Sequence, residues 1–117
     1  MPRFALLEHD HPYPHFDLML EAGPVLWTWR LDMLPWECSG EATRITDHRL
    51  IYLDYEGPIS GARGSVRRLD GGEFAGELSN EDLLTLSLAG GRLKGTLCLQ
   101  RREGDHWQLT YRPDPAA

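Results

Sequence analysis

The sequence predicts a mainly β fold, an antiparallel β-barrel-like single domain with little helix. Three observations carry this. Turn signals recur along the chain, at Ala22-Gly23-Pro24, Gly57-Pro58, Asp70-Gly71-Gly72, Gly90-Gly91 and Glu103-Gly104-Asp105. The runs between them are short, several alternating apolar and polar residues with period two, as a strand with two unlike faces does. No segment sustains a helical period. At 117 residues the chain is long enough for one domain with a real core and too short for two.

The elements follow in order. Residues 3–8 and 15–21 read as the first two strands, and the Pro12-Tyr13-Pro14 stretch turns the chain between them. Val25–Leu31 is the third, with Val25, Trp27, Trp29 and Leu31 on one face. Residues 43–46 and 50–55 follow, and 64–69 and 74–78 are weaker strands. Leu84, Leu86 and Leu88 alternate, Gly90-Gly91 turns, and Leu93, Leu97 and Leu99 continue as a hairpin. Residues 107–112 close the set. Ser79-Asn80-Glu81-Asp82 can cap one helical turn, although the leucines after it keep period two. The domain is expected to span residues 1–113, with 114–117 a flexible tail.

Composition narrows the function classes. With 41% apolar and 26% charged residues, the chain is that of a folded protein. No apolar run approaches the roughly 20 residues that span a bilayer. Met1-Pro2-Arg3-Phe4 does not open a signal peptide, so a cytoplasmic location without membrane contact is expected. Cys38 and Cys98 stand alone and are expected to be reduced and structural. The net charge of −6 lacks the basic surplus of a duplex-coating protein, so any nucleic acid is expected to be gripped at a local feature such as an end. Trp27, Trp29, Trp36 and Trp107 are expected mainly to pack the barrel, with Trp36 the best candidate for exposure.

Three of the five histidines fall in Glu8-His9-Asp10-His11-Pro12-Tyr13-Pro14-His15-Phe16-Asp17. His15 and Asp17 are two apart on a strand and share a face. His9 ends the preceding strand, and the proline-rich turn can bring it beside them. Two imidazoles and one carboxylate leave coordination positions open, which suits manganese, iron or zinc in a site that admits substrate. Spacing alone leaves His11 a rival of His9. Asp10 reads as a turn residue.

These residues also resemble a known family. His9-x5-His15-Phe16-Asp17-x-Met19-Leu20-Glu21 resembles the His-x5-His-Tyr-Asp-Phe-Arg-Leu-Glu signature of the 3'-phosphoesterase domain of bacterial DNA ligase D. Residues 46–57, from Thr46-Asp47-His48 through Tyr52 to Glu56-Gly57, resemble that family's second block, and residues 88–95 its late hairpin. The resemblance implies an antiparallel β-barrel-like domain with a metal in its crevice. It implies a manganese-dependent phosphoesterase, with Zn2+ or Co2+ as other ions, that removes a 3'-terminal ribonucleoside and a 3'-phosphate in DNA repair. It selects His9 over His11, giving His9, His15 and Asp17 as metal ligands, with His48 and Tyr52 facing the scissile phosphate. It implies nucleic-acid 3' ends as partners and a short stand-alone version that works beside separate DNA ligase or repair proteins.

The chain departs from the family pattern at several positions. The family's arginine two residues after the metal aspartate is Met19 here, its glutamine before the first histidine is Leu7, and a further arginine falls on Gly40. The family's N-terminal extension is expected to be missing, since His9 lies near the start. Methionine cannot hold a phosphate or stabilise developing charge. A replacement follows from strand parity. A two-residue loop at Ala22-Gly23 or Gly23-Pro24 pairs odd positions with even ones, which sets His15, Asp17 and Met19 on a face with Leu26, Thr28 and Arg30. Arg30 then sits opposite His15 or Asp17 and is the expected third catalytic residue, with Arg44, Arg49 and Arg63 as other cations. The same departures leave two alternatives to the 3'-end enzyme: a metal- and phosphate-end-binding module without turnover, and a phosphoesterase for small or RNA-derived substrates.

Overall fold

The period-two runs of the sequence become strands of one sheet in the computed structural model, which describes residues 1–36, 39–79 and 81–115. The expectations for Cys38, for Asn80 in the candidate cap and for the last two residues of the tail lie outside the described residues. The strands are β1 (Arg3–His9), β2 (His15–Ala22), β3 (Val25–Leu31), β4 (Gly40–Arg49), β5 (Gly57–Pro58), β6 (Ser65–Ala75), β7 (Leu83–Gly90), β8 (Lys94–Glu103) and β9 (His106–Pro113). Eight of them pair antiparallel in the order β1-β2-β3-β4-β9-β8-β7-β6, and β6 returns to β1, so the barrel closes. Closure leaves no long unpaired edge for another chain to join. The short β5 adds to the outer side of β6 at Val66. The described residues contain no α-helix.

Two apolar clusters form on opposite faces of the wall. Every barrel strand contributes to the larger, including Phe4 and Leu6 from β1, Trp29 and Leu31 from β3, Ala42 from β4, Phe74 from β6, Leu86 from β7, Leu97 from β8 and Leu109 from β9. This is the interior. The smaller contains Ala5, Leu7, Met19, Leu26 and Val66 from the outer face of β1, β2, β3 and β6, covered by Leu53 with Tyr52, Tyr55 and Ile59. Strands β1 and β2 are therefore buried on both faces over much of their length, and their sequences, Phe-Ala-Leu-Leu and Leu-Met-Leu, are continuously apolar where a half-exposed strand would alternate. Each fully buried leucine is worth about 1.5–3 kcal/mol relative to an exposed one.

Three expectations are corrected. Residues 50–55 do not form a strand; Leu50–Leu53 is a 3-10 turn. The run Leu-Ile-Tyr-Leu has no alternation to give it two faces. One tight turn sends Leu53 into the smaller cluster and leaves Leu50 and Ile51 exposed. The strand expected at 43–46 runs from Gly40 to Arg49. The two weak strands at 64–69 and 74–78 are one strand, β6, and Asp70-Gly71-Gly72 does not turn. The glycines there allow close approach instead: a Cβ on Gly72 would lie 2.1 Å from the Ala89 carbonyl oxygen. The buried Asp70 carboxylate accepts the backbone N–H groups of Gly91, Arg92 and Leu93, and so holds the β7–β8 turn. Trp36 is half-buried against the interior cluster, with the Arg92 guanidinium 4.5 Å from its ring centroid, whereas Trp29 and Trp107 are buried.

Candidate metal centre

The β1–β2 pairing sets His9 opposite His15 and Leu7 opposite Asp17. Alternation along each strand then turns His9, His15 and Asp17 to the outer face, away from Phe4, Leu6 and Leu18. The His11–Pro12 peptide in the intervening turn is cis. Asp10 closes the turn, its carboxylate accepting the Ser65 N–H at 2.8 Å.

One possible ligand atom from each of the three residues lies within 4.8 Å of the others. Each imidazole is fixed by a main-chain carbonyl. His15 Nδ1 donates to the Tyr13 carbonyl at 2.8 Å, and His9 Nε2 donates to the Arg63 carbonyl at 2.9 Å. That assignment leaves His15 Nε2 facing Asp17 Oδ1 at 3.3 Å and His9 Nδ1 facing Asp17 Oδ2 at 3.6 Å. In neutral rings these nitrogens carry lone pairs aimed at a carboxylate. His15 Nε2 and Asp17 Oδ1 are buried and have no hydrogen-bond partner. An orphaned buried acceptor costs about 1–3 kcal/mol, and two facing acceptors repel. A cation shared among the three removes both costs, and a carbonyl behind each histidine is the usual way to orient a metal-binding imidazole. The residues fit a divalent ion. His11 is exposed, its ring centroid 6.4 Å from that of His9, and lies outside the group.

A cleft of about 360 Å3 opens beside the triad, lined by His9, Asp17, His48, Tyr52, Arg63 and others. His48 reaches it through a β-bulge. Ile45 pairs with Thr28 and His48 with Leu26, so Thr46 and Asp47 together oppose Trp27. Regular alternation from Ile45 would send Asp47 outward; the extra residue sends His48. Its Nδ1 donates to the Thr46 carbonyl at 2.8 Å, and its ring meets Tyr52 edge-on with centroids 5.9 Å apart.

The 3-10 turn that carries Tyr52 is clamped from two strands. Arg68 Nε donates to the Leu53 carbonyl at 3.0 Å, and the Arg68 N–H donates to Glu56. Arg3 grips Asp54 with two hydrogen bonds, at 2.6 and 3.0 Å. That hydrogen bonding lowers the pKa of the Asp54 carboxyl and raises that of Arg3.

The β2–β3 loop is Gly23-Pro24, with Ala22 paired to Val25, and Arg30 stands opposite Asp17 as parity requires. Its guanidinium lies over Tyr13, 5.6 Å from the ring centroid and 3.5 Å from the hydroxyl. Arg44 is paired with Asp47 at 2.8 Å and stacks on Trp27 and Trp29 in a separate cavity. Arg49 and Arg63 line the cleft itself. Met19 is fully buried in the smaller cluster, and a Cβ on Gly40 would lie 2.5 Å from the Met33 sulfur. The sequence reading missed the bulge and the carbonyl that holds His9. An unpaired extra residue leaves no mark in composition, and a carbonyl acceptor is independent of residue type.

The DNA ligase D 3'-phosphoesterase domain matches residues 7–101 of this chain. The chain belongs to that family. The multifunctional non-homologous end joining DNA repair protein LigD of Mycobacterium tuberculosis is 35% identical over 114 aligned positions, and the match covers 89% of this chain and 15% of that protein. The LigD of Mycobacterium bovis matches to the same extent. The chain thus corresponds to about 15% of the length of these relatives. The triad, His48, Tyr52 and the clamping Arg68 all fall inside the stretch matched by the family, and β9 lies beyond it.

Proposed function

We propose that this chain is a metal-dependent phosphoesterase that removes a 3'-phosphate or a 3'-terminal ribonucleotide from nucleic-acid ends, in the end-joining repair for which its LigD relatives are named. One observation supports this most: buried, unpartnered His15 Nε2 and Asp17 Oδ1 face each other at the edge of a cleft that also holds His48 and Tyr52.

His9, His15 and Asp17 would hold the ion, with Mn2+ the expected metal and Zn2+ or Co2+ as substitutes. When bound, such an ion polarises a phosphoryl oxygen and lowers the pKa of water. The protein's own groups do the rest. With Nδ1 tied to Thr46, His48 presents Nε2 to the cleft, where it can exchange a proton with the phosphate or the leaving oxygen. Tyr52 lines the same cleft beside His48, where its hydroxyl could donate to a phosphate oxygen. Arg30 adds positive charge behind Asp17 and steadies Tyr13, whose carbonyl orients His15. Leu7, Ile59 and Val66 form the apolar part of the cleft wall.

The burial of Met19 favours a second reading, metal and phosphate-end binding without turnover. A Mn2+ titration separates the two, using a primer with a 3'-phosphate or a terminal ribonucleotide. Mn2+-dependent product that disappears in His9→Ala establishes the enzyme. Mn2+ binding with no product on either end establishes the binding module, and no Mn2+ binding at all overturns both.

A further inference from the structure

We propose that Arg63 supplies the phosphate-binding guanidinium that position 19 lacks, from the same loop that orients His9. The inference rests on the 3'-end reading above. Met19 carries no charge and is completely buried under Leu53, so phosphate-binding charge has to enter the cleft from another element. Arg44 is committed to Asp47 and to two indole rings in the other cavity, and Arg30 is drawn to Tyr13. Of the two arginines that line the cleft, Arg49 sits beside His48 and Tyr52 and extends into a small adjoining cavity with Ile59 and Ser60. Arg63 sits at the metal end. Its carbonyl accepts the His9 Nε2 hydrogen bond, so its Cα is fixed relative to a ligand of the ion.

The side chain is also held in advance. Nε donates to the Ser60 carbonyl at 2.7 Å and Nη2 to the Ser60 hydroxyl at 3.3 Å. These contacts use two of the five guanidinium donors and leave a fork for phosphate oxygens. The loop backbone fits this arrangement at a cost: Ala62 takes a φ of 55°, where a residue with a Cβ is seldom found. A phosphate bound in this cleft would lie beside the loop that presents the Arg63 guanidinium and holds His9.

Equilibrium binding tests this without relying on turnover. In a His48→Ala background, which suppresses hydrolysis but keeps the ligands, the Mn2+-loaded protein is titrated by fluorescence anisotropy with a short labelled DNA strand ending in a 3'-phosphate, and with the same strand ending in a 3'-hydroxyl. The parent should prefer the phosphate end by about 10-fold or more, the range expected of charge-assisted hydrogen bonds. Arg63→Ala should abolish that preference, Arg63→Lys should restore part of it, and Arg112→Ala, an exposed arginine on β9 outside the cleft, should keep it. Because alanine retains the carbonyl that holds His9, Mn2+ affinity read by electron paramagnetic resonance should be unchanged in Arg63→Ala. A preference that survives Arg63→Ala, or Mn2+ affinity lost with it, overturns the assignment to Arg63 alone. A parent that binds both ends equally overturns the 3'-end reading and this assignment together.

Discussion

Asp17 is held by paired strands on either side, β1 and β3, and His9 by β2 and β6, whereas the turn that carries Tyr52 is held by arginine side chains that reach it from β1 and β6. In the metal half, each residue occupies an ordinary register position, and the backbone beneath it is part of the barrel. In the phosphate-facing half, His48 depends on a bulge and Tyr52 on a 3-10 turn, neither of which has a sheet partner on both sides. The ligand geometry should therefore persist as long as the barrel does. The phosphate-facing geometry rests on a few side-chain contacts and can be altered one contact at a time.

Substitutions in each half sharpen this contrast. The largest effect is expected from His15→Ala, which should lower Mn2+ affinity by more than about 100-fold by calorimetry, beyond what loss of a supporting residue does. It should leave the β circular dichroism spectrum intact. His48→Ala should leave Mn2+ affinity unchanged and reduce kcat by about 100- to 10,000-fold, the range for loss of a proton-transfer group. Equal loss of metal affinity in the two variants would erase the distinction between the halves. Arg68→Ala should cost about 1–3 kcal/mol by urea denaturation, since the Leu53 carbonyl loses its donor. By displacing Tyr52 it should also lower kcat/KM by about 10- to 100-fold, with Mn2+ affinity unmoved.

The smallest effect is the acid dependence of the Arg3–Asp54 contact. The folded Asp54 carboxyl has a lowered pKa, so the contact stabilises fully above the ordinary carboxylate value and is lost as pH falls through the folded one. Thermal melts of wild type and Asp54→Asn should differ slightly at neutral pH and converge in acid. The pair is exposed, so added salt should also narrow the gap.

What the sequence revealed follows the same division. Period-two alternation and Gly-rich turns were enough for the barrel, and parity was enough to seat Arg30 opposite Asp17. His15 and Asp17 could be placed on one face because a regular strand sits beneath them. His48 could be selected only through the family resemblance, since its facing depends on one extra residue that only pairing with Trp27 reveals. Asp70-Gly71-Gly72 reads as a turn because its residue types are turn formers. In the folded protein the same types serve a buried cap and a close strand approach, which local chemistry cannot tell apart from a turn.

The outer layer of the cleft, from the bulge at Thr46 to the glycine after Arg63, is a single uninterrupted stretch of chain. It leaves the barrel after β4 and rejoins it at β6, adding only Leu53 to the buried residues of either cluster. In engineering terms it is a cassette. Exchanging residues 46–64 for the corresponding stretch of another family member would transfer the groups proposed to face phosphate together, while the eight-stranded wall and the three outward-facing side chains proposed as ligands stay as a common chassis.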